Sequence, residues 1–312
     1  MATKTLKEIS VELAKKQPLQ VNYLTEEAPI IDSMPFEEAS HGLWNAYEEV
    51  TEINGPSLVK MDAPLSAIDV DTELKKVDLD LFGGIIERGE DAIQQFGGMG
   101  AYLAKKEQSI FSKFGMDAEK HVLYNRLRAF VIKNGEANKK LLYKGTGSSN
   151  QNYSIIAVRY EPGTTCGLYN PKGFGQGAML NFSPINGGSI YKNSNGVLVY
   201  GGRYKSHLGV QMASPKTIGA LVNIDITADF ATEASRELIA TKIDDMLSDI
   251  RATDAYTQLF MHQKVLNRLF KYKVAALQMD PANKKYDRQV ASWNGVPVVT
   301  SYNFLDGTEQ NV

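Results

Sequence analysis

The spacing of apolar side chains changes several times along the chain, and each change marks an element. Near the N-terminus, Leu6, Ile9 and Leu13 recur at helical spacing behind a capping-box pattern, which predicts a short amphipathic helix over residues 5–16. The stretch that follows, up to residue 40, is broken by prolines and offers no helix to cover this apolar stripe. We therefore expect the stripe to pack on another surface, which in an oligomer belongs to a neighbouring subunit.

Residues 41–71 mix aromatic and β-branched side chains with Asn-Gly-Pro and Asp-Ala-Pro turn signals, which predicts a long, weakly patterned hairpin. Such an arm cannot form a hydrophobic core of its own. The residues expected to contact other subunits are therefore the three apolar residues of the N-terminal helix and four side chains of the hairpin, Trp44, Tyr47, Val59 and Ile68.

Residues 72–81 alternate between apolar and charged side chains, the pattern of a half-buried strand. We expect Gly83 and Gly84 to end this strand. Two adjacent glycines can absorb changes in φ and ψ, so they are also the candidate hinge, with an ordinary turn or bulge as the alternative.

Two helices are predicted next, one over residues 99–114 that ends at Gly115 and one over residues 122–131 that ends at Gly135. A polar stretch rich in Gly, Ser and Asn then occupies residues 141–152. The pattern beyond it is mainly that of strands, so this stretch is the best candidate for an internal boundary.

The second half of the chain alternates between β and helical patterns. Strands are predicted at 153–160, 197–200, 220–226 and 296–300, and helices at 238–250 and 256–270. The predicted class is α+β with strands that pair over long distances in the sequence.

Composition narrows the function classes. Hydrophobic residues make up 43% of the 312 residues, which is typical of an ordered globular protein. The net charge of -2 provides no general attraction to nucleic acid or to an anionic membrane. The single cysteine excludes an intrachain disulfide and a cysteine-built metal site, and no stretch is apolar enough to be a signal peptide or to span a bilayer.

The motifs that could carry chemistry are weak, and each has a structural interpretation that we favour. Residues 173–178 match a loose dinucleotide-binding pattern but lack the helix that should follow it. Cys166 has no adjacent histidine, so we expect it to be a packing residue. The histidines are scattered, and we expect no metal ion and no cofactor; they are His41, His121, His207 and His262.

Acidic residues two apart, Asp69 with Asp71 and Asp78 with Asp80, share a face of a predicted strand and could bind a cation. We favour a solvated or subunit-contacting charged face.

Several blocks of sequence, taken in order, resemble one family. They are APIIDSMPF at 28–36, YSIIAVRYEPGTTCGLYNPKG at 153–173, VYGGRYKSHLGVQM at 199–212, IGALVNID at 218–225 and SWNGVPVVTSYNFLDGTE at 292–309. With the order of the predicted elements, these blocks are similar to the major capsid proteins of tailed bacteriophages, which have the Hong Kong 97 type fold. The family's G-x-Y-P-K-G run is interrupted here by Asn170.

The resemblance implies an α+β fold with five segments. They are an N-terminal arm (1–40), an extension-loop hairpin (41–73), a peripheral domain with a long spine helix (74–152), an axial domain (153–279) and a return strand of the peripheral domain (280–312). It also implies a virion protein, made in the bacterial cytoplasm, that assembles with itself into hexamers and pentamers of an icosahedral shell and expands on maturation.

The expected partners are a scaffolding protein, a portal and a decoration protein, with packaged double-stranded DNA contacted non-specifically. Two alternatives remain open from the sequence. One is an encapsulin-like nanocompartment shell, which would share the fold, and the other is an enzyme of unknown class, for which no catalytic constellation is visible.

Overall fold

The computed structural model describes residues 4–5, 28–56, 58–61, 64–65, 67–95, 98–135, 141–149, 151–170, 181–271, 277–279 and 291–312. The glycine-rich loop at 173–178 lies outside these residues. So does the predicted N-terminal helix, apart from Thr5, which ends a short strand. The described elements confirm the α+β class.

The described strands build two large sheets and a separate hairpin. In chain order they are β1 (Lys4–Thr5), β2 (Pro35–Glu38), β3 (Trp44–Asn54), β4 (Asp69–Asp78), β5 (Asp80–Gly89), β6 (Leu142–Lys144), β7 (Tyr153–Arg159), β8 (Thr165–Tyr169), β9 (Asn181–Pro184), β10 (Tyr191–Lys192), β11 (Leu198–Met212), β12 (Ile218–Ile224), β13 (Thr257–Met261), β14 (Leu277–Met279), β15 (Ala291–Trp293) and β16 (Val296–Thr300).

The described helices vary widely in length. They are α1 (Pro29–Ser33), α2 (Glu90–Gln95), α3 (Met99–His121), α4 (Ala129–Gly135), α5 (Glu233–Asp249) and α6 (Gln263–Lys271). A π-helical segment, Val122–Arg128, joins α3 to α4, and short 3₁₀ turns occur at Ile185–Gly188 and Pro215–Thr217.

The central sheet has the strand order β14-β15-β16-β13-β7-β12-β6. Strand β7 lies between β12 and β13 and is antiparallel to both. Its apolar run is almost unbroken, as expected of a strand that is buried on both faces. Ile156 and Val158 point into a core that they share with the long helix, whereas Ile155 and Ala157 point into a second core beneath α5 and α6. The central sheet is therefore sandwiched between two helical layers.

The lateral sheet is built around β11, the longest strand. Strands β5 and β9 both pair with the same residues of β11, so they lie along its opposite edges. Strand β8 pairs with the last residues of β11 and carries β2 and β1 on its other side. Tyr204 of β11 packs with Ile86 of β5 against Ile110 and Phe114 of α3, so the long helix covers one face of this sheet.

The helical stretch from Met99 to Gly135 is continuous. The prediction that Gly115 ends a first helix is wrong, and the helical stretch is described up to Gly135. An interior glycine disfavours a helix by only about 1 kcal/mol. Fully buried residues on the following turns, among them Leu123 and Leu127, bind the helix to the core and outweigh that cost.

Two further predictions need correction. Gly83 and Gly84 do not end a strand, because both lie inside β5 and pair with Lys205 and Tyr204 of β11. Residues 256–270 are not one helix, since the chain forms β13 before α6 begins. A strand buried on both faces shows the same apolar run as a helix core, and spacing alone cannot separate the two.

The predicted segment boundaries do not coincide with the sheets. The hairpin extends to Asp78, beyond the predicted end at residue 73. Strands β8 to β11 fall in the predicted axial segment but pair with each other and with β5 in the lateral sheet. Strand β16, predicted to return to the peripheral domain, pairs with β13 in the central sheet. Sequence position therefore did not indicate which strands share a sheet.

Candidate assembly surface

Strands β3 and β4 form a two-stranded antiparallel hairpin. Its register runs from Trp44 opposite Asp78 to Asn54 opposite Asp69, with an irregularity after Val50. Within the described part of the chain, no third strand pairs with either edge. A two-stranded ribbon is at best marginally stable in water, because it cannot enclose a core. The hairpin therefore needs support from outside the ribbon.

The hairpin exposes a dense set of large apolar side chains. Leu58 is 107% exposed and Met61 is 98% exposed. The full set, called the hairpin patch below, is Val50, Ile53, Leu58, Val59, Met61, Leu65, Ile68, Val70 and Leu74. Fully burying a side chain of this size contributes about 1.5–3 kcal/mol, so the patch could supply a large driving force for association.

The root of the hairpin is fixed to the body. The rings of Trp44 and His41 stack at 3.7 Å between centroids, and the Lys76 ammonium lies 5.4 Å from the Trp44 ring. The side chain of Asn45 donates a hydrogen bond of 2.5 Å to Gln211 of β11. The described root thus has partners within the chain, while the patch further out is exposed.

A charged cluster holds the junction between the hairpin and β5 against the long helix. The Asp80 carboxylate accepts a hydrogen bond of 2.7 Å from Arg126 and lies 2.9 Å from Nε2 of His121. Arg126 also donates to the backbone carbonyl of Asp78. The expectation that Asp78 and Asp80 share a face of one strand is wrong, because Asp78 ends β4 and Asp80 begins β5.

The hairpin is strongly acidic. Residues 44–78 contain eight acidic and three basic side chains, a net charge of -5 in a chain whose total is -2. Two like-charged pairs lie directly opposite each other across the strands, Glu49 with Glu73 and Glu52 with Asp71. Lys75 forms ion pairs with both members of the first. Like charges in this position destabilise a hairpin, so cations from outside would stabilise it.

The body holds a fully buried carboxylate that is surrounded by hydrogen-bond donors. The Glu119 carboxylate of α3 accepts hydrogen bonds from the backbone N–H of Ile30 and Ile31, at 2.9 and 3.4 Å. It also accepts from Ser301 and, at 2.9 Å, from Asn303. Burial raises the pKa of Glu119, and the hydrogen bonds oppose that rise. This one carboxylate ties together α1, α3 and the segment after β16.

A second buried carboxylate fastens the C-terminal residues to the π-helical segment. Glu309 accepts hydrogen bonds from Tyr124, at 2.7 Å, and from Ser154. Arg128 lies 3.7 Å from Glu309 and donates to the carbonyl of Gln310 at 3.0 Å. Burial also raises the pKa of Glu309. The C-terminal residues are therefore bound to the helical layer by contacts within the chain.

No catalytic arrangement emerges from the described residues. Cys166 is buried as expected, and burial raises the pKa of its thiol, which lies 3.4 Å from Glu37. The described residues contain no group of three or more His, Cys, Asp or Glu side chains placed to hold a metal ion. Within the same residues, no helix is long and apolar enough to cross a membrane.

The residues predicted to contact other subunits fall into three groups. Leu6, Ile9 and Leu13 lie outside the described residues. Val59 and Ile68 belong to the exposed hairpin patch, whereas Trp44 and Tyr47 are half-buried at its root. Whether any of them touches a neighbour stays a prediction.

The candidate hinge residues differ in their surroundings. A Cβ added to Gly83 would lie 2.9 Å from the carbonyl oxygen of Tyr204, whereas one added to Gly84 would meet nothing within 4 Å. Close backbone approach thus explains the first glycine, and a hinge role for the pair stays a prediction.

Sequence reasoning missed most of the hairpin patch, including Val50, Ile53, Leu58, Met61 and Leu65. Their large apolar side chains between turn signals, in a segment with no partner helix, were the available signal. It also missed Glu119 and Glu309, for which a single sequence offers no signal, because their partners lie far away in the chain.

Residues 106–312 match the family described as major capsid protein GP7. The chain belongs to this family. The match spans more than half of the chain and begins inside α3, so the hairpin is not part of it. Among curated proteins, no sequence match is found.

Solved structures support the fold of this capsid protein. A structure of bacteriophage Epsilon15 matches with a TM-score of 0.54 at 13% identity and covers 90% of this chain and 88% of that one. The capsid of bacteriophage JBD30 matches with a TM-score of 0.50 at 13% identity and covers 86% of this chain and 88% of that one. The resemblance to the Hong Kong 97 type capsid fold is therefore confirmed.

Family membership decides between the interpretations that the sequence left open. The protein is a subunit of a bacteriophage capsid shell and is located in the virion. The encapsulin-like alternative is set aside, because the family is that of a major capsid protein.

Proposed function

We propose that the hairpin β3–β4 is the extension loop of this capsid subunit and that it lies across a neighbouring subunit in the shell. The observation that carries this proposal is the hairpin patch, a set of exposed large apolar side chains on a ribbon without a core. Such surfaces on soluble proteins are typical of interaction sites. A neighbour that covers the patch would also supply the support that a two-stranded ribbon lacks.

The rest of the chain divides into two parts in this proposal. The central sheet with α5 and α6 forms the axial domain, and the lateral sheet with the long helix forms the peripheral domain. This division follows the strand pairing of the described residues. The contiguous boundaries expected from the sequence stay a prediction. The N-terminal arm, residues 1–40, reaches a neighbour through Leu6, Ile9 and Leu13, while its last part, α1 and β2, is bound into the body.

Many modest contacts repeated around a closed shell would give a stable particle without any single strong interface. Obligate interfaces bury about 2,000–5,000 Å² or more, and each subunit engages several neighbours at once. Hexamers and pentamers are the expected assemblies. The precursor shell is expected to expand on maturation, with Gly83 and Gly84 as the candidate hinge beside the hairpin root.

The further partners follow from the same role. We propose that the subunit, made in the cytoplasm of the host bacterium, assembles with a scaffolding protein, a portal and a decoration protein. We also propose that packaged double-stranded DNA is contacted only non-specifically and that the protein has no catalytic role.

Electron microscopy of the protein, expressed alone and together with its neighbouring small gene products, tests this role. We expect closed shells, or hexamers and pentamers. A second preparation in which residues 55–67 are replaced by a short Gly-Ser turn removes the tip and retains the root contacts of Trp44 and Asn45. It should fold but not form shells. A wild-type protein that stays monomeric under every condition would contradict the proposal, and so would normal shells from the tip-deleted variant.

A further inference from the structure

Charge is distributed very unevenly along this chain. Residues 162–224 contain no acidic side chain and five basic ones. The hairpin, residues 44–78, carries a net charge of -5. The two segments therefore carry equal and opposite net charges, within a chain whose total is -2. Charge separation on this scale within one self-assembling subunit is a basis for attraction between copies.

The basic segment presents part of its charge on one face of the lateral sheet. Side chains two apart on a strand share a face, so Arg203, Lys205 and His207 of β11 point to the same side. Their partners on the edge strand β5 are Ile85, Gly83 and Leu81. We call these six residues the outer face.

The outer face is open, in contrast to its reverse side. Leu81 is 57% exposed and Ile85 is 69% exposed, and Arg203 is also exposed. The stem of Lys205 lies over Gly83, with its Cγ 3.4 Å from where a Cβ would stand. The reverse side of the same strands is covered by α3. The face thus combines exposed apolar side chains with cationic ones. The hairpin combines exposed apolar side chains with anionic ones, so the two surfaces are complementary.

The subunit's own hairpin already uses the adjoining part of this face. Gln211 and Gly209 continue the same side of β11 beyond His207. Gln211 accepts a hydrogen bond from Asn45 of the hairpin root, and Leu79 packs against Gly209. The outer face begins where these root contacts end, so a second hairpin laid along β11 would continue an interface that the fold has already begun.

We propose that the outer face of one subunit is the docking site for the acidic hairpin of a second copy of this chain. This inference rests on the proposed role of the hairpin and names the surface that receives it. Leu81 and Ile85 receive apolar side chains of the hairpin patch, and Arg203 and Lys205 meet the acidic pairs. The contact is head to tail, because hairpin and face are different surfaces of the same subunit. Such contacts build closed rings when the rotation between copies closes.

The charges of the residues around the outer face indicate which way the hairpin should lie. Burial and the nearby Lys205 lower the pKa of His207, so Arg203 and Lys205 supply the positive charge near neutral pH. Glu87 is the acidic residue at the far end of the β5 edge, where it accepts a hydrogen bond of 2.6 Å from Tyr191. The acidic hairpin should therefore lie toward His207 and away from Glu87. Packaged DNA would also be attracted to the cations, but it has no apolar groups to cover Leu81 and Ile85.

The test is a charge-reversal series in the full-length chain, read by the yield of sedimenting particles and by electron microscopy. The double variant R203E/K205E should lower particle yield by at least about tenfold, since like charges facing each other across an interface suppress association. The matched control is K133E/K216E, which makes the same change of charge at exposed positions away from the outer face. The control should assemble like the wild type, and circular dichroism should show every variant folded.

Restoration of the charge pairing separates docking from a general effect of charge. A chain carrying E52K/D71K together with R203E/K205E reverses the charge of one pair on the hairpin and of the pair on the outer face. These two reversed pairs attract each other again, so the chain should assemble better than either double variant alone. Equal yields from R203E/K205E and the wild type would overturn the docking site while leaving the shell function intact. Normal empty shells that fail only to retain DNA would assign the face to the genome and would also overturn it. Failure of the wild type itself to assemble would instead contradict the proposed function.

Discussion

Strand β7 of the central sheet and strand β3 of the hairpin are stabilised in opposite ways. Residues 153–158 of β7 are all buried, and strands pair with it on both sides. β3 has one described partner strand and is exposed over its outer half. The first strand is stable because the chain encloses it, whereas the second presents apolar and acidic groups that the described residues leave uncovered. We therefore expect folding and assembly to depend on different parts of the subunit.

The largest expected effect is on assembly. Replacing Leu58, Met61 and Leu65 with Ser should abolish shell formation, because the most exposed part of the hairpin patch could no longer be buried against a neighbour. The midpoint of thermal unfolding of the unassembled subunit should stay unchanged. Sedimentation and differential scanning calorimetry measure the two results. Shells that form normally, or a subunit that unfolds at a clearly lower temperature, would contradict the claim that the hairpin serves assembly and not the stability of the subunit.

The next largest effect is expected when an isoleucine is replaced by alanine in each of the two regions. Ile156→Ala removes a fully buried side chain and should lower the free energy of unfolding by about 2–5 kcal/mol. Ile53→Ala, at a position that is 66% exposed, should leave that free energy unchanged within about 0.5 kcal/mol and should reduce assembly. Urea titration of the unassembled subunits measures both values. Equal losses of stability would contradict the comparison.

Glu119→Gln measures how much the hydrogen bonds of one buried carboxylate contribute to the stability of the body. An amide cannot accept all of the hydrogen bonds that the carboxylate accepts, so we expect a loss of about 1–3 kcal/mol. Burial raises the pKa of Glu119 in the folded state, which means that its contribution to stability is largest below its ordinary value of 4.5 and shrinks as the pH rises through the raised value. The stability gap between wild type and variant should therefore be wider near pH ~5 than near pH ~7. A gap that narrows on acidification would show that the hydrogen bonds dominate over burial.

The smallest effects are expected at the two adjacent glycines of β5 in the lateral sheet. Gly83→Ala should destabilise the subunit by about 1 kcal/mol, because its Cβ would approach the carbonyl of Tyr204. Gly84→Ala should leave stability unchanged and slow the expansion of precursor shells if the pair is a hinge. Thermal unfolding and the kinetics of expansion measure these results. Expansion of Gly84→Ala shells at the wild-type rate would rule out the hinge.

Elements with a clean pattern were predicted well from sequence. The final strand at 296–300 is confirmed at both ends. The helix predicted at 238–250 corresponds to α5, which begins earlier, at Glu233, and ends at Asp249. The hairpin was predicted in kind, although its second strand extends to Asp78. Predictions failed where tertiary packing overrode a local signal, as at Gly115, or where a doubly buried strand imitated a helix, as at 257–261.

The candidate surface was predicted less completely. The hairpin's lack of a core follows from its composition and could be inferred. The same reasoning could have been extended from Val59 and Ile68 to the other apolar residues of the hairpin patch. Strand pairing decides which residues form the outer face, and β11 pairs with segments more than 100 residues earlier in the chain. Partners at such a distance cannot be read from the local pattern of a single sequence.

Hydrogen exchange of the backbone amides, compared between unassembled subunit and assembled shell, tests the central claim most directly. Amides of residues 50–54 and 69–74 should exchange rapidly in the subunit and become protected in the shell, because a neighbour then covers the hairpin. Amides of β7 should be protected in both states and serve as the internal reference. A hairpin protected equally in the lone subunit, or left unprotected in the shell, would contradict the account.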